Sequence, residues 1–129
     1  MSRERALAQL AQDFDDNAAL IQRALDRDVH GNTLEDIRGW VMDGTMQLWC
    51  GEGFVGVTEV VDYPHMKVLV VCLAAGNKDA VIGAYQGKIE PFAKAIGAQA
   101  VEIQGREGWA RELRHHGFKQ SSVTLFREV

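Results

Sequence analysis

The sequence predicts an α/β domain built on one mixed, mostly antiparallel sheet with helices on both faces. Apolar residues in the first forty positions recur at helical spacing, whereas from Thr45 onward they alternate with the period of strands. Residues 66–73 are nearly all apolar and β-branched, which is typical of a strand covered on both faces. A helical pattern separates them from a further strand at 99–104. Because such crossovers are right-handed, these two strands should be parallel neighbours, and we expect them to splay apart at the end of the first.

Two helices are predicted to open the chain. Apolar side chains at intervals of three and four indicate one long amphipathic helix, and they are Leu7, Leu10, Phe14, Ala18, Ile21 and Leu25. Thr33 followed by Asp36 fits a capping box that would begin a second helix. Gly44 would end it.

Three strands should follow as a meander. Residues 46–50 alternate between apolar and polar, and Gly51, Glu52 and Gly53 have the composition of a hairpin turn. A second strand begins at Phe54, and the apolar strand 66–73 takes the inner place.

The second half alternates between helices and strands. Residues 79–96 read as a helix with Pro91 inside it, so we expect a kink one turn upstream of the proline. The remaining predicted elements are a strand at 99–104, a helix at 106–116 ended by Gly117, and a final strand near 121–127.

Composition sets the limits on function. The 129 residues fit a single domain spanning 1–129, with 47% hydrophobic and 25% charged residues as in globular proteins. A net charge of −4 argues against nucleic-acid binding, which depends on Lys and Arg. The apolar run 68–75 is too short to span a membrane, and the charged N-terminus is unlike a signal peptide. We therefore expect a cytoplasmic protein whose Cys50 and Cys72 are free thiols.

No residue set in the sequence identifies a catalytic group. Glu59 and Asp62 are carboxylates that could act as a general base, but neither has a recognisable acid partner. His115 and His116 are adjacent on a helix and point about 100° apart, so we expect them to form a solvated basic end and not a metal site. Catalytic residues thus stay unknown at this stage, and no metal is expected.

The ordered set of elements resembles the GNAT superfamily of acyl-CoA N-acyltransferases from the first helix onward. Phe54, Val55 and Gly56 stand where that family often has an apolar residue, Val and Gly early in a strand. Residues 68–76 are similar to its central strand and coenzyme-binding turn, and Gly117 followed by Phe118 matches the common end of its last helix. The resemblance covers roughly residues 5 to 127 and implies an acetyl-CoA site at Gly76, Asn77 and Lys78.

Departures from the family pattern fall on the functional positions. The pyrophosphate turn would place Leu73 where the family has Gln or Arg, and Lys78 where it has a small residue. Leu113 stands where many members have a Tyr general acid. The resemblance therefore implies a degenerate site whose acetyl-CoA binding is absent or weaker than about 100 μM. We also expect Gly76→Val to remove that binding without unfolding the domain.

The turn from Gly105 to Trp109 is similar to one in small GNAT-like proteins of bacteriophages and prophages. This part of the resemblance implies a structural or interaction role, with association to a virion if the chain is phage-encoded. Arg106 and Trp109 are the candidate contacts for a protein partner or for self-association, with Trp109 mainly in the core. Two alternatives stay open: an active N-acetyltransferase that acts on an amine, and a homo-oligomeric scaffold without a ligand.

Overall fold

The computed structural model describes residues 2–105 and 107–129, in which helices flank a four-stranded sheet. A π-helical turn at Tyr85–Ile89 joins α4 to α5, and a 3-10 turn at Arg114–His116 follows α6. In chain order the elements are α1 (Arg3–Asp16), α2 (Ala18–Leu25), α3 (Leu34–Met42), β1 (Met46–Gly51), β2 (Phe54–Tyr63), β3 (Met66–Gly76), α4 (Lys78–Ala84), α5 (Glu90–Ala95), β4 (Ala100–Ile103) and α6 (Glu107–Leu113).

The single long helix predicted at the start is wrong, because the chain breaks it into α1 and α2. The break lies at Asn17, whose φ of −106° and ψ of 7° leave the helical region. Its side-chain amide donates to the Asp13 carbonyl oxygen at 2.8 Å. Short polar side chains compete with the helix for backbone partners in this way. The apolar period continues across the break, which is why the sequence pattern did not reveal it.

The capping box predicted for α3 is confirmed. The Thr33 hydroxyl accepts from the Asp36 N–H at 3.1 Å, and the Asp36 carboxylate accepts from the Thr33 N–H at 2.9 Å. Gly44 has a φ of +86° just past the helix end, where a left-handed residue commonly stops a helix.

The sheet has the predicted topology, with strand order β1-β2-β3-β4. The first three strands form an antiparallel meander, and β3 lies inside it beside β4. Strands β3 and β4 are parallel, in register from Val68 opposite Ala100 to Val71 opposite Ile103. A mixed, mostly antiparallel sheet with one β-α-β crossover is therefore confirmed.

A β-bulge in β3 was not visible in the sequence. Val57 lies opposite Leu73, but Thr58 lies opposite Val71, so Cys72 has no cross-strand partner on β2. The extra residue reverses the alternation of side chains along β3. As a result Val71 packs on one face of the sheet and Leu73 on the other.

Each face of the sheet has its own core. Helices α1 to α3 cover one face, where the buried cluster consists of Phe14, Ile21, Leu25, Ile37, Val41, Val55 and Val57. The π turn and α5 cover the opposite face, where the cluster consists of Leu69, Val71, Ile89 and Ala93. Helices on both faces, as predicted, leave the two ends of the sheet as the places where a ligand could enter.

A π-helical turn at Tyr85–Ile89 lies directly upstream of Pro91, where a kink was expected. Pro91 has no N–H to donate to the carbonyl one turn earlier, and a wider helical turn accommodates the missing bond. The helical rod nevertheless continues from Lys78 to Ala95. Side chains of this helical segment therefore follow the sheet from the end of β3 onward.

The final strand predicted near 121–127 is wrong, because residues 118–129 form no strand. Gly117 ends the preceding 3-10 turn as expected, with a φ of +85°. Beyond it Val123 is 68% exposed and Leu125 is 90% exposed. A strand preference depends on burying side chains against a neighbouring strand. The adjacent edge strand β4 spans only Ala100–Ile103 and offers few partners.

Candidate functional site

A cleft opens where β4 separates from β3. The last paired residues are Val71 and Ile103, after which the Gln104 N–H still donates to the Val71 carbonyl oxygen at 3.3 Å. Strand β3 continues to Gly76 with only β2 beside it in the described part of the chain. The pairing of β3 with β4 thus ends where β4 ends, and β3 runs on past it. Residues 72–74 line a large open cleft of about 1930 Å³, which runs from this end of β3 along the sheet to Met66 and Ala100 at the other end.

Gly76 closes the strand against the β1–β2 hairpin. Its φ is +123°, and a Cβ at this position would overlap the Gly53 carbonyl oxygen and lie 2.8 Å from the Phe54 Cα. The next N–H, that of Asn77, donates to the same Gly53 oxygen at 2.7 Å. The expectation that Gly76→Val leaves the fold intact is therefore wrong, since a side chain here collides with backbone.

Asn77 begins α4, whose residues Val81 and Ile82 line the cleft. Its side-chain oxygen accepts from the Ala80 N–H at 3.1 Å, which is a regular N-cap. Helix geometry leaves the N–H groups of Lys78 and Asp79 without an intrahelical acceptor. Two free donors at the positive end of a helical rod suit an anion such as a diphosphate.

Lys78 is not directed at the helix end. Its ammonium group forms an ion pair with the Glu112 carboxylate of α6 at 2.8 Å. The hydrogen bond from Lys78 lowers the pKa of Glu112 below its ordinary value. Because Lys78 is 58% exposed, water screens this pair and an anionic ligand could take its place.

Further contacts beside the cleft join α6 and the turn after it to the helical segment of residues 78–95. The Gln86 amide and the His116 Nδ1 are 3.2 Å apart, and the rings of Tyr85 and Phe118 meet edge to face at 5.2 Å between centroids. Together with the Lys78–Glu112 pair, these contacts hold the end of the last helix over the cleft.

Tyr85 is a candidate functional residue whose spacing in the sequence indicated only a buried helix face. It lies on the wall of the cleft, and burial, followed by the nearby Glu90 charge, raises the pKa of its hydroxyl. Its ring contacts Phe118, whose N–H donates to the Leu113 carbonyl oxygen at 3.2 Å. Leu113 itself is buried. Tyr85 thus contacts Phe118, which is hydrogen-bonded to the residue at the position where many family members have a tyrosine.

Glu59 and Asp62 fall in different places. Glu59 lies on the cleft wall, half-buried, opposite Val70. Asp62 is exposed and lies opposite Lys67, at the other end of β3. Of these two carboxylates, therefore, only Glu59 is placed to act as a general base in the cleft.

The thiol of Cys72 also lies on the cleft wall. Burial and then the Glu59 charge raise its pKa from 9.0 to about 11. A raised pKa keeps the sulfur protonated at neutral pH, which makes Cys72 a poor nucleophile. Cys50 is likewise a free thiol whose pKa is raised by burial.

Of the two predicted partner contacts, Arg106 lies outside the described residues. Trp109 is half-buried and belongs to neither core cluster, contrary to the expectation that it is mainly core. It lines a second, smaller cavity together with two arginines that the sequence did not single out, Arg23 and Arg27. Their helical spacing was a detectable signal, but no pattern in the sequence connects them with Trp109.

The described residues carry neither a metal-binding cluster nor a membrane-spanning helix. Residues 2–105 and 107–129 hold no group of three or more His, Cys, Asp or Glu side chains placed to bind a metal ion. Over the same residues, every helix is too short or too polar to cross a bilayer.

Solved structures resemble this chain over nearly its full length. An acetyltransferase of Trypanosoma brucei aligns with a TM-score of 0.63 at 10% identity, covering 92% of this chain and 94% of its own. A protein of Thermus thermophilus aligns with a TM-score of 0.60 at 17% identity, covering 90% and 92%. Glucosamine-6-phosphate N-acetyltransferase of Arabidopsis thaliana aligns with a TM-score of 0.57 at 13% identity, covering 88% and 91%. This chain has the GNAT fold.

The GNAT fold rests on structure rather than on sequence similarity. No protein-family model matches the chain, and no curated protein matches it by sequence. The identities of 10% to 17% are low enough that the likeness shows the fold alone. The fold predicted from the order of elements is confirmed, and the chemistry has to be argued from the cleft.

Proposed function

We propose that this chain binds an acyl-CoA thioester where β3 and β4 separate and transfers the acyl group to an amine. The observation that carries the proposal is that β3 continues through residues 72–76 after its last pair with β4 and ends at a capped helix. This arrangement places a free strand edge directly before a helix start that can bind an anion. Two structural neighbours are named as acetyltransferases, which supports the same chemistry.

The residues at the turn fit a diphosphate. The free N–H groups of Lys78 and Asp79 are the donors, and Asn77 holds them in place by capping the helix. To bind the ligand, Lys78 would have to release Glu112. Losing that ion pair makes the free energy of ligand binding less favourable. We therefore keep the expectation of a dissociation constant near or above about 100 μM, which is still compatible with the KM range of roughly 1 μM to 1 mM found for enzymes.

Transfer requires two proton movements in the cleft. A C–N bond forms as the C–S bond breaks, so the amine loses a proton and the departing sulfur can accept one. The cleft wall also carries Asp28, Glu90 and Glu102, and Glu59 is the one that the sequence singled out as a possible base for the first proton. Tyr85, whose pKa is raised and which is therefore protonated at neutral pH, could supply the second. Leu113 leaves the usual position of the acid without a donor.

The direct test combines binding with product analysis. Calorimetric titration with acetyl-CoA should give a saturable dissociation constant on the order of 100 μM. Incubation with acetyl-CoA and a panel of primary amines should then yield an N-acetylated product detectable by mass spectrometry. Binding without a product would contradict the transferase proposal, and the absence of binding would contradict the coenzyme site.

The variant Tyr85→Phe separates the role of the hydroxyl as a general acid from the role of the ring in packing. The variant keeps the ring that contacts Phe118 but loses the hydroxyl, so kcat should fall by about 10²–10⁴ if Tyr85 is the general acid. The melting temperature should stay unchanged. Tyr63→Phe is the matched control, because Tyr63 is an exposed tyrosine at the far end of β2. Equal activity of the two variants would rule out the acid role.

A second candidate function is a GNAT-fold binding domain without catalysis. Buried Leu113 in the position of the family's acid favours it, as does α6 being held over the cleft by its own contacts. In that case acetyl-CoA binding would be absent, and a protein partner or a second copy would be the ligand. Light scattering over a range of concentrations would detect the homo-oligomeric scaffold. The virion role stays a prediction from the turn at 105–109.

A further inference from the structure

A small cavity of about 130 Å³ lies at the C-terminal end of β3, beside the cleft. It has room for a few waters or one small anionic group. It is bounded by α2 and the turn that follows it, by the end of β3 and by α6. Its lining residues are Arg23, Ala24, Arg27, Ala74, Ala75, Gly76 and Trp109.

Two exposed arginines line this cavity. Arg23 lies on α2 and Arg27 follows its end, where the Arg27 N–H still donates to the Ala24 carbonyl oxygen at 3.2 Å. Residues four apart lie on the same face of a helical segment. In the part of the chain that the structure describes, the ion pairs lie elsewhere, and neither arginine has a carboxylate partner. Two adjacent positive charges thus line one small space in a protein of net charge −4.

The walls of the cavity leave that space open. Ala74, Ala75 and Gly76 bring the β3 backbone to its edge without a bulky side chain, and Ala24 does the same from α2. The half-buried Trp109 closes the side toward α6. Guanidinium groups recognise carboxylates and phosphates through paired hydrogen bonds, and an indole ring provides a flat apolar wall.

We propose that Arg23, Arg27 and Trp109 form a subsite for the carboxylate or phosphate of the acyl acceptor. The inference rests on the proposed function, because Gly76 is shared between this cavity and the coenzyme turn. The acceptor would then be a small amine that carries an acidic group.

The position of α2 favours the acceptor over the coenzyme. Helix α2 packs on the sheet face that holds Val55 and Val57, whereas the rod that begins at Lys78 continues over the opposite face. The diphosphate would bind at the start of that rod, so the amine has to approach from the α2 side. An anionic group at Arg23 and Arg27 holds the acceptor on that side. The alternative is that a phosphate of the coenzyme, and not the acceptor, supplies the anionic group that the two arginines bind.

The first experiment measures anion binding without any acyl-CoA. Inorganic phosphate, titrated into labelled protein, should shift the Trp109 indole N–H and the Arg23 and Arg27 Nε–H resonances along one saturable curve. The double variant Arg23→Gln with Arg27→Gln should lose these shifts. The matched control, Arg3→Gln with Arg5→Gln on the exposed start of α1, removes the same charge and should retain them. Unsaturable shifts, or the same shifts in both double variants, would overturn the subsite.

The second experiment identifies the source of the anion. Acetylation of O-phosphoethanolamine is compared with that of ethanolamine, at saturating acetyl-CoA. Wild-type kcat/KM should be about tenfold higher for the phosphorylated amine, equivalent to roughly 1.4 kcal/mol. The arginine double variant should erase that preference by raising the KM for O-phosphoethanolamine about tenfold.

The remaining outcomes contradict one proposal or the other. If the double variant raises the KM for acetyl-CoA about tenfold and leaves the amine preference intact, the anion is a coenzyme phosphate and the acceptor subsite is overturned. If neither amine is acetylated although phosphate binding is saturable and depends on Arg23 and Arg27, the transferase proposal fails while the anion site stands.

Discussion

Gly76 shows how one residue links the fold to the candidate site. The sequence singled it out as the surviving glycine of a coenzyme turn. In the structure its φ of +123° and its contact with the Gly53 carbonyl oxygen are what require glycine. Packing of the turn against the β1–β2 hairpin therefore constrains this position before any ligand is considered. The same packing places the free N–H groups at the start of α4 directly after the end of β3.

Gly76→Ala should consequently destabilise the domain. A non-glycine residue at such a positive φ costs roughly 1–3 kcal/mol, and overlap of the methyl group with the Gly53 oxygen adds to this. Chemical denaturation should show the loss. Gly83→Ala is the control, because Gly83 lies within α4 and a methyl group there would have nothing within 4 Å. That variant should be neutral or more stable by up to about 1 kcal/mol. Equal stability of the two variants would contradict the packing argument.

At the scale of elements, α4 connects the end of β3 to the α5 face of the sheet. Its cap at Asn77 sets where the free N–H groups point, and the π turn before Pro91 lets the rod continue without a break. Tyr85 is the first residue of that π turn and faces Phe118. The irregular turn thus positions the candidate acid, which a regular helical pattern would not have revealed.

Two substitutions at Asn77 should separate capping from anion binding. Asn77→Asp keeps a good N-cap, so the melting temperature should stay close to that of the wild type, while the new negative charge repels a diphosphate. Asn77→Ala should lose about 1 kcal/mol of stability through the missing cap. Calorimetry with acetyl-CoA should therefore show weaker binding to Asn77→Asp despite its intact fold. Unchanged affinity in that variant would place the diphosphate elsewhere.

At the scale of the whole molecule, stability is unevenly distributed. The sheet is buried at its centre, where Leu69 and Val57 are fully enclosed, whereas residues 119–129 lie exposed beyond the last helix. Phe126 reaches back to His30, with 6.3 Å between the ring centroids. The end of the chain therefore crosses the α2–α3 side of the molecule and does not extend the sheet beyond β4.

Hydrogen exchange should report this distribution directly. Amides of β2 and β3 should exchange slowest, because they open only with the global unfolding of the domain. Amides of residues 120–128 should exchange within seconds at neutral pH, since no strand pairing protects them. Strong protection across 121–127 would mean that a final strand forms after all, in the same chain or with a second copy, and size measurements would tell these apart.

Periodicity was sufficient for most of the architecture. Apolar spacing located the helices, alternation located the meander, and the run at 66–73 identified the inner strand. These features depend on side chains close together in sequence, as does the Thr33–Asp36 capping box. The order of elements then led to the GNAT fold, because crossover handedness and short connections leave few ways to arrange them.

The failures have a common physical origin in contacts between distant parts of the chain. The break at Asn17 interrupts a pattern that stays apolar on both sides, and the bulge at Cys72 exists only relative to β2. The missing final strand depends on how much edge β4 offers, which no local preference encodes.

By itself the sequence determined most of the helices and strands, their order and hence the GNAT fold, since hydrophobic period and turn residues act over a few positions. Tertiary structure alone decided the candidate chemistry. It brought Tyr85 beside Phe118, paired Lys78 with Glu112, and set Arg23 and Arg27 around one cavity with Trp109. These groups come from separate elements, and the sheet and its two helical layers place them together because each helix must bury its own apolar face.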